Sequence, residues 1–139
     1  MEDSTDPIDD EELLYRRVPA STGWYSPEAG LSPQAFAPHK TQDATGLSVY
    51  RGKHKSVEDV ARGRPGRSYY VAVLRAGDLR AKGIEVVLRP APGDPGHAEL
   101  CQLHSRNRKT AETLERQRIL AAVCLRVEGP FETNESGQG

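Results

Sequence analysis

GLSVYR (46–51), SYYVAVLRAGDLRAKGIEVVLRP (68–90) and HAELCQL (97–103) decide the fold. Each contains a short apolar run, bounded by turn signals and ending on charged or hydroxyl side chains, which is the pattern of a sheet with polar rims. SYYVAVLR (68–75) is aromatic, β-branched and almost continuously apolar, so it predicts a central strand covered on both faces. GLSVYR alternates Leu47, Val49 and Arg51 with Ser48 and Tyr50, which puts two hydroxyls on one face. AGDLRAKG (76–83) predicts a turn or single helical turn closed by Gly83, and IEVVLRP (84–90) another strand. HAELCQL then follows the sharp PAPGDPG loop as a strand.

Working outward, LLYRRV (13–18) is a β-prone run stopped by Pro19 and reads as the first strand. Residues 19–45 form a long irregular segment whose large apolar anchors are Trp24, Tyr25, Leu31 and Phe36. A connection this long is a functional loop or a disordered one, and its aromatics predict an ordered active-site or binding loop. KSVEDVARG (55–63) has Ser56 as N-cap, Glu58 and Asp59 in the first turn and Gly63 as a stop, so it predicts a short helix. Residues 105–127 predict a helix through about residue 122, then an edge strand at 123–127. The expected architecture is one α+β domain over 13–131: a small mixed or antiparallel sheet with two or three helices and a split-sheet cleft. Residues 1–12 read as a disordered acidic leader and 132–139 as a disordered tail.

The chain has 139 residues, 36% hydrophobic and 28% charged, which fits one domain able to bury roughly 68% of its unfolded surface. No apolar run approaches the ~20 residues of a membrane span, and MEDSTDPIDDEE is acidic where a secretory signal is basic. A cytoplasmic protein without membrane attachment is expected. Cys101 and Cys124 lie in apolar surroundings and read as two small buried hydrophobes rather than a disulfide.

The net charge of −1 conceals an asymmetry. Residues 1–12 hold seven acids and no base, and the rest of the chain carries 19 Lys and Arg against 13 acids, a net of +6. Nine of those bases fall within residues 51–82. A basic surface concentrates phosphates and acidic partners, and a flexible acidic leader is able to compete for the same surface within the chain.

Six residues stand out as site candidates. His97 and Glu99 are two apart on a strand, hence on one face, where an imidazole and a carboxylate can relay protons or hold a ribose hydroxyl; they are the catalytic candidates. Arg16, at the end of the first strand, suits bidentate phosphate binding. Ser48, Tyr50 and Arg51, followed by Lys53, His54 and Lys55, offer hydroxyls and bases to a phosphodiester or dinucleotide. His39, His54, His97 and His104 show no close ligand spacing, so no metal is expected. There is no P-loop, GxGxxG or nucleophile elbow.

The blocks LYRRV, GLSVYR, YYVAVLRAGDLRAKGIEVV, GHAEL and VEGPF resemble those of a family of small uncharacterised bacterial proteins; the resemblance covers residues 13–131 and implies no activity. LLYRRV, AGLSPQAF, GLSVYR and VAVLRAGDLRAKGIEV are also similar, more faintly, to the ADP-ribosyltransferase fold in its tRNA 2′-phosphotransferase branch. That likeness implies a cleft binding NAD or an ADP-ribosyl group, with Arg16, Ser48 or Tyr50, and Glu99 at matching places. The chain departs from the pattern in having no HGT after its first strand, no STS triplet, and Glu99 within HAE. The expected function is therefore binding of a phosphate-bearing ligand, NAD, ADP-ribose or an RNA end, by a degenerate ADP-ribosyl- or phosphotransferase-like protein. The alternative is a non-enzymatic accessory, immunity or regulatory protein that docks a protein partner through its basic face (Arg51 to Lys82) or acidic leader.

Overall fold

A computed structural model of the chain describes residues 6–39, 43–62 and 65–132. Strand β1 (Leu13–Pro19) is followed by a 3-10 turn at Ala20–Thr22, the small hairpin β2 (Tyr25–Ser26) and β3 (Gly30–Leu31), and a second 3-10 turn at Pro33–Phe36. Then come β4 (Leu47–Arg51), α1 (Val57–Val60), β5 (Ser68–Arg75) and α2 (Ala76–Ala81). The chain continues with β6 (Val87–Leu88), β7 (His97–Leu100), α3 (Ala111–Val123) and β8 (Arg126–Glu132). Six strands form one sheet in the order β6-β7-β4-β1-β5-β8, and every pairing is antiparallel. The α+β class is as expected, with an antiparallel rather than a mixed sheet.

Alternation along the strands makes two cores. Leu14 and Val18 of β1, Leu47 and Val49 of β4, Ala72 and Leu74 of β5, and Ala98 and Leu100 of β7 point one way. They meet Phe36, Leu79 of α2 and Leu120 of α3, all fully buried. On the opposite face Tyr15, Tyr69, Val71 and Val73 pack beneath Val60 and Ala61 at the end of α1. β5 contributes to both clusters, which is why its sequence is almost continuously apolar.

The helix start expected at Ser56 is present: its hydroxyl accepts the Asp59 amide, while Gly63 lies outside the described residues. α2 is closed by Gly83, whose φ of +78° is the left-handed conformation that glycine adopts without strain. The loop 19–39 is ordered by its anchors, with Phe36 fully buried and Trp24 and Leu31 packed against the main core.

Four boundaries differ from expectation. The strand expected at 84–90 is only Val87–Leu88, because the Ile84 amide closes α2 on Leu79 and the Glu85 amide bonds the Gln102 side chain. The strand expected at 97–103 ends at Leu100, where the Leu103 amide turns back on the Leu100 carbonyl. The helix expected from 105 begins at Ala111: Asn107 binds the His104 amide and Gln102 carbonyl in a turn, and Thr110 supplies the cap. The helix runs to Val123, and this displaces the edge strand from 123–127 to 126–132.

The acidic leader is also corrected over residues 6–12. Ile8 is buried in the main core, and the carbonyls of Glu12 and Asp10 accept the amides of Ala76 and Gly77. These residues are held by an apolar anchor and by the bases beneath them. Residues 1–5 and 133–139 lie outside the described residues. Cys101 and Cys124 are free and half-buried rather than core residues. Among the described residues no helix is long and apolar enough to cross a membrane.

Candidate functional site

β4 and β7 pair with Ser48 opposite Glu99 and Tyr50 opposite His97. Residues directly opposite in an antiparallel pair share a face, so the four side chains form a two-by-two polar patch. The main helix contacts are of α1 with β1, α2 with β5 and α3 with the Pro33–Phe36 turn. Ser48, Tyr50 and His97 are half-buried, and Glu99 is buried.

Within the patch the polar atoms are already ordered. His97 Nδ1 lies 3.0 Å from the Arg89 carbonyl, which can only accept, so Nδ1 carries a proton and donates it. Nε2 lies 3.0 Å from the Ser48 hydroxyl. Asp43, buried at 3% exposure, places Oδ1 3.3 Å from both the Ser48 hydroxyl and the Ser48 amide, and its Oδ2 accepts the His39 amide. Sequence reading missed Asp43, which sits in an irregular stretch where spacing carries no signal. Glu99 Oε1 accepts from the Thr45 hydroxyl at 2.8 Å and from Arg89 Nε at 3.3 Å. Gly46 lets this carboxylate lean across: a Cβ there would stand 3.0 Å from Glu99 Cβ and 3.2 Å from Oε1.

Two cations flank the patch. Lys55 sits over the Tyr50 ring, with Nζ 4.7 Å from its centroid, and reaches Asp94 at 3.4 Å. The Arg89 side chain is half exposed. The rings of Tyr50 and His97 are 5.7 Å apart and tilted. This arrangement offers hydroxyls, an imidazole, an anion and two cations to a polar ligand. Among the described residues no group of His, Cys, Asp and Glu is placed to hold a metal ion.

Arg16 and Arg51 are not part of the patch, contrary to the sequence expectation. β1 and β4 register only at Leu14 with Arg51 and Tyr15 with Tyr50; beyond these the Arg16 side chain bridges them, its Nη1 donating to the Ser48 carbonyl at 3.0 Å. Its Nε donates to the Ala35 carbonyl at 3.1 Å. Desolvation pulls the Arg16 guanidinium below its ordinary pKa, and the charge of Asp43 opposes that shift. Arg16 therefore ties the sheet to the 3-10 turn rather than clamping a phosphate.

Arg51 points into the main core with no exposed surface. Its guanidinium is taken by Glu12, by Asp6 and by the carbonyls of Asp6 and Pro7. A guanidinium this deep needs a counterion, and the leader supplies it. Asp6 also bonds Lys53 and His54, Glu11 pairs with Arg75, and Asp10 with Arg80. Among the described residues, six of the eight bases between Arg51 and Lys82 carry an ion pair within the chain.

Comparison with protein-family models, with curated proteins and with solved structures finds no match to this chain.

Proposed function

We propose that the protein binds a phosphate-bearing ligand, of the class of NAD, ADP-ribose or an RNA end, across the face formed by β4 and β7. The observation that carries this reading is the two-by-two patch of Ser48, Glu99, Tyr50 and His97 on one face of the sheet, flanked by Lys55 and Arg89. Lys55 and Arg89 attract the phosphate. The Tyr50 ring offers a stacking surface to a base, and the Ser48 hydroxyl and Glu99 carboxylate offer hydrogen bonds to ribose hydroxyls. Arg16 and Arg51 take no part, being committed to backbone carbonyls and to the leader. The likeness of the sequence blocks to the ADP-ribosyltransferase and phosphotransferase proteins supports this ligand class, and the missing motifs favour a degenerate relative. A protein-docking role through the basic stretch or the leader is the less favoured reading, since Arg51, Lys53, Arg75 and Arg80 of that stretch are already paired with the leader.

Thermal unfolding with NAD, ADP-ribose and 5′-phosphorylated RNA tests the reading. A ligand at 100 times its Kd adds about 2.7 kcal/mol of stability. The expected result is a shift with one of the three that Tyr50→Ala and Arg89→Ala each diminish. Absence of a shift with all three sinks the proposal.

A further inference from the structure

Ser48 and His97 are placed for more than binding. The Arg89 carbonyl accepts from His97 Nδ1, and in the neutral imidazole this turns the lone pair of Nε2 toward the Ser48 hydroxyl at 3.0 Å. A serine within hydrogen-bond reach of an imidazole that is itself oriented by a third group is the arrangement of an activated nucleophile. The hydroxyl donates to Asp43 Oδ1 at 3.3 Å and also lies 3.0 Å from Nε2, so attack proceeds from the orientation in which its one hydrogen points at the imidazole. The buried Asp43 carboxylate has a different use. When His97 takes the proton, Asp43 lies just across Ser48 and offsets the imidazolium charge.

We infer that Ser48 is a nucleophile, with His97 as its general base and the Arg89 carbonyl as the orienting group, and that it accepts the acyl group of an uncharged ester. The carboxylates of Asp43 and Glu99 on either side of Ser48 repel an anionic reacting centre and leave a neutral carbonyl unaffected. In the step, Ser48 Oγ forms a bond to the acyl carbon and the bond from that carbon to the alcohol oxygen breaks. The hydroxyl proton passes to His97 Nε2 and from there to the departing alcohol. Water, deprotonated in turn by His97, hydrolyses the serine ester to the acid and restores Ser48. This inference shares Ser48 and His97 with the proposed ligand patch but does not depend on phosphate binding, since it draws on neither the Lys55 nor the Arg89 side chain.

The test uses an alkyl fluorophosphonate, an uncharged phosphorus electrophile: Oγ bonds to phosphorus, fluoride leaves and the proton goes to His97. Intact-mass measurement on the folded chain is expected to show one adduct, mapped by peptide analysis to Ser48. The adduct should be absent in Ser48→Ala and should form about a hundredfold more slowly in His97→Gln, the scale of general-base assistance. No adduct on the wild-type chain, an adduct on another residue, or an equal rate in His97→Gln overturns the inference. Should Ser48→Ala fail to fold, peptide mapping of the wild type still decides. Failure here with an intact thermal shift by NAD, ADP-ribose or RNA separates this inference from the ligand proposal.

Discussion

Glu12 meets Arg51 through two parallel hydrogen bonds, Oε2 from Nε and Oε1 from Nη2, each 2.8 Å long. This fork joins a segment with the composition of a disordered tail to the interior of the sheet, and Asp6 completes the enclosure of the guanidinium. The leader is therefore part of the domain from Asp6 onward.

Removing one partner of a buried pair leaves the other charge uncompensated, at a cost of about 3–5 kcal/mol. Glu12→Ala is expected to lower stability on that scale in urea unfolding at neutral pH. Glu11→Ala, which removes an exposed partner of Arg75, should lower the unfolding midpoint far less, because a solvent-screened ion pair contributes little. Equal effects from the two would mean that Arg51 does not depend on the leader.

Acid should release the strap. The hydrogen bond from Lys53, helped by His54 and the charge of Arg51, holds the Asp6 carboxyl well below the usual carboxylate range; Arg75 does the same, less strongly, to Glu11. A folded pKa depressed below its unfolded value contributes stability that is fully present above the unfolded pKa, about 4, and is lost as pH falls through the folded value. Denaturant midpoints should therefore decline from about pH 4 downward. Asp6→Asn is expected to flatten the decline, and an unchanged slope in that variant would refute the assignment.

Arg16 satisfies two carbonyls on different elements, and lysine, with a single compact ammonium in place of a fork, is poorly shaped to serve both. Leaving a buried carbonyl without its donor costs about 1–3 kcal/mol. Arg16→Met should lose stability on that scale, Arg16→Lys somewhat less, and neither should abolish ligand binding at the β4–β7 patch. Loss of binding without loss of stability in Arg16→Lys would restore Arg16 as a ligand residue.

Gly46→Ala places a methyl group 3.0 Å from both Glu99 Cβ and the Cys101 Cα, closer than such carbons pack without movement. Overpacking of this kind costs about 1–3 kcal/mol, and relief by displacing Glu99 would disturb the patch as well. Thermal unfolding should report the first effect and the NAD, ADP-ribose and RNA shift assay the second. A variant with unchanged melting would show that β4 and β7 can part locally.

How much of this was legible in the sequence varies by element. SYYVAVLR declared a central strand because both of its faces are buried, and the structure places it between β1 and β8 with a core on each side. Ser48 with Tyr50 and His97 with Glu99 were assignable to shared faces because side chains alternate along a strand with period two. Ser56 announced the start of α1 through its capping hydroxyl. The weakly patterned stretches were less informative. The polar run 105–110 gave no sign that Asn107 would hold a turn, and Ile84 and Glu85 read as strand although their amides serve α2 and Gln102.

Period-two alternation and local capping are properties of neighbouring residues, so the amino-acid sequence by itself determined the α+β class, the central strand and the two pairs of candidate side chains. Which pairs would meet was decided by the register of β4 against β7, a long-range choice made by the packing of the whole sheet. The same packing turned Arg51 inward to the leader, set Arg16 across the gap between β1 and β4, and brought Asp43 to Ser48. A charged side chain carries no mark of its partner until burial removes water and leaves the nearest opposite group as the only compensation.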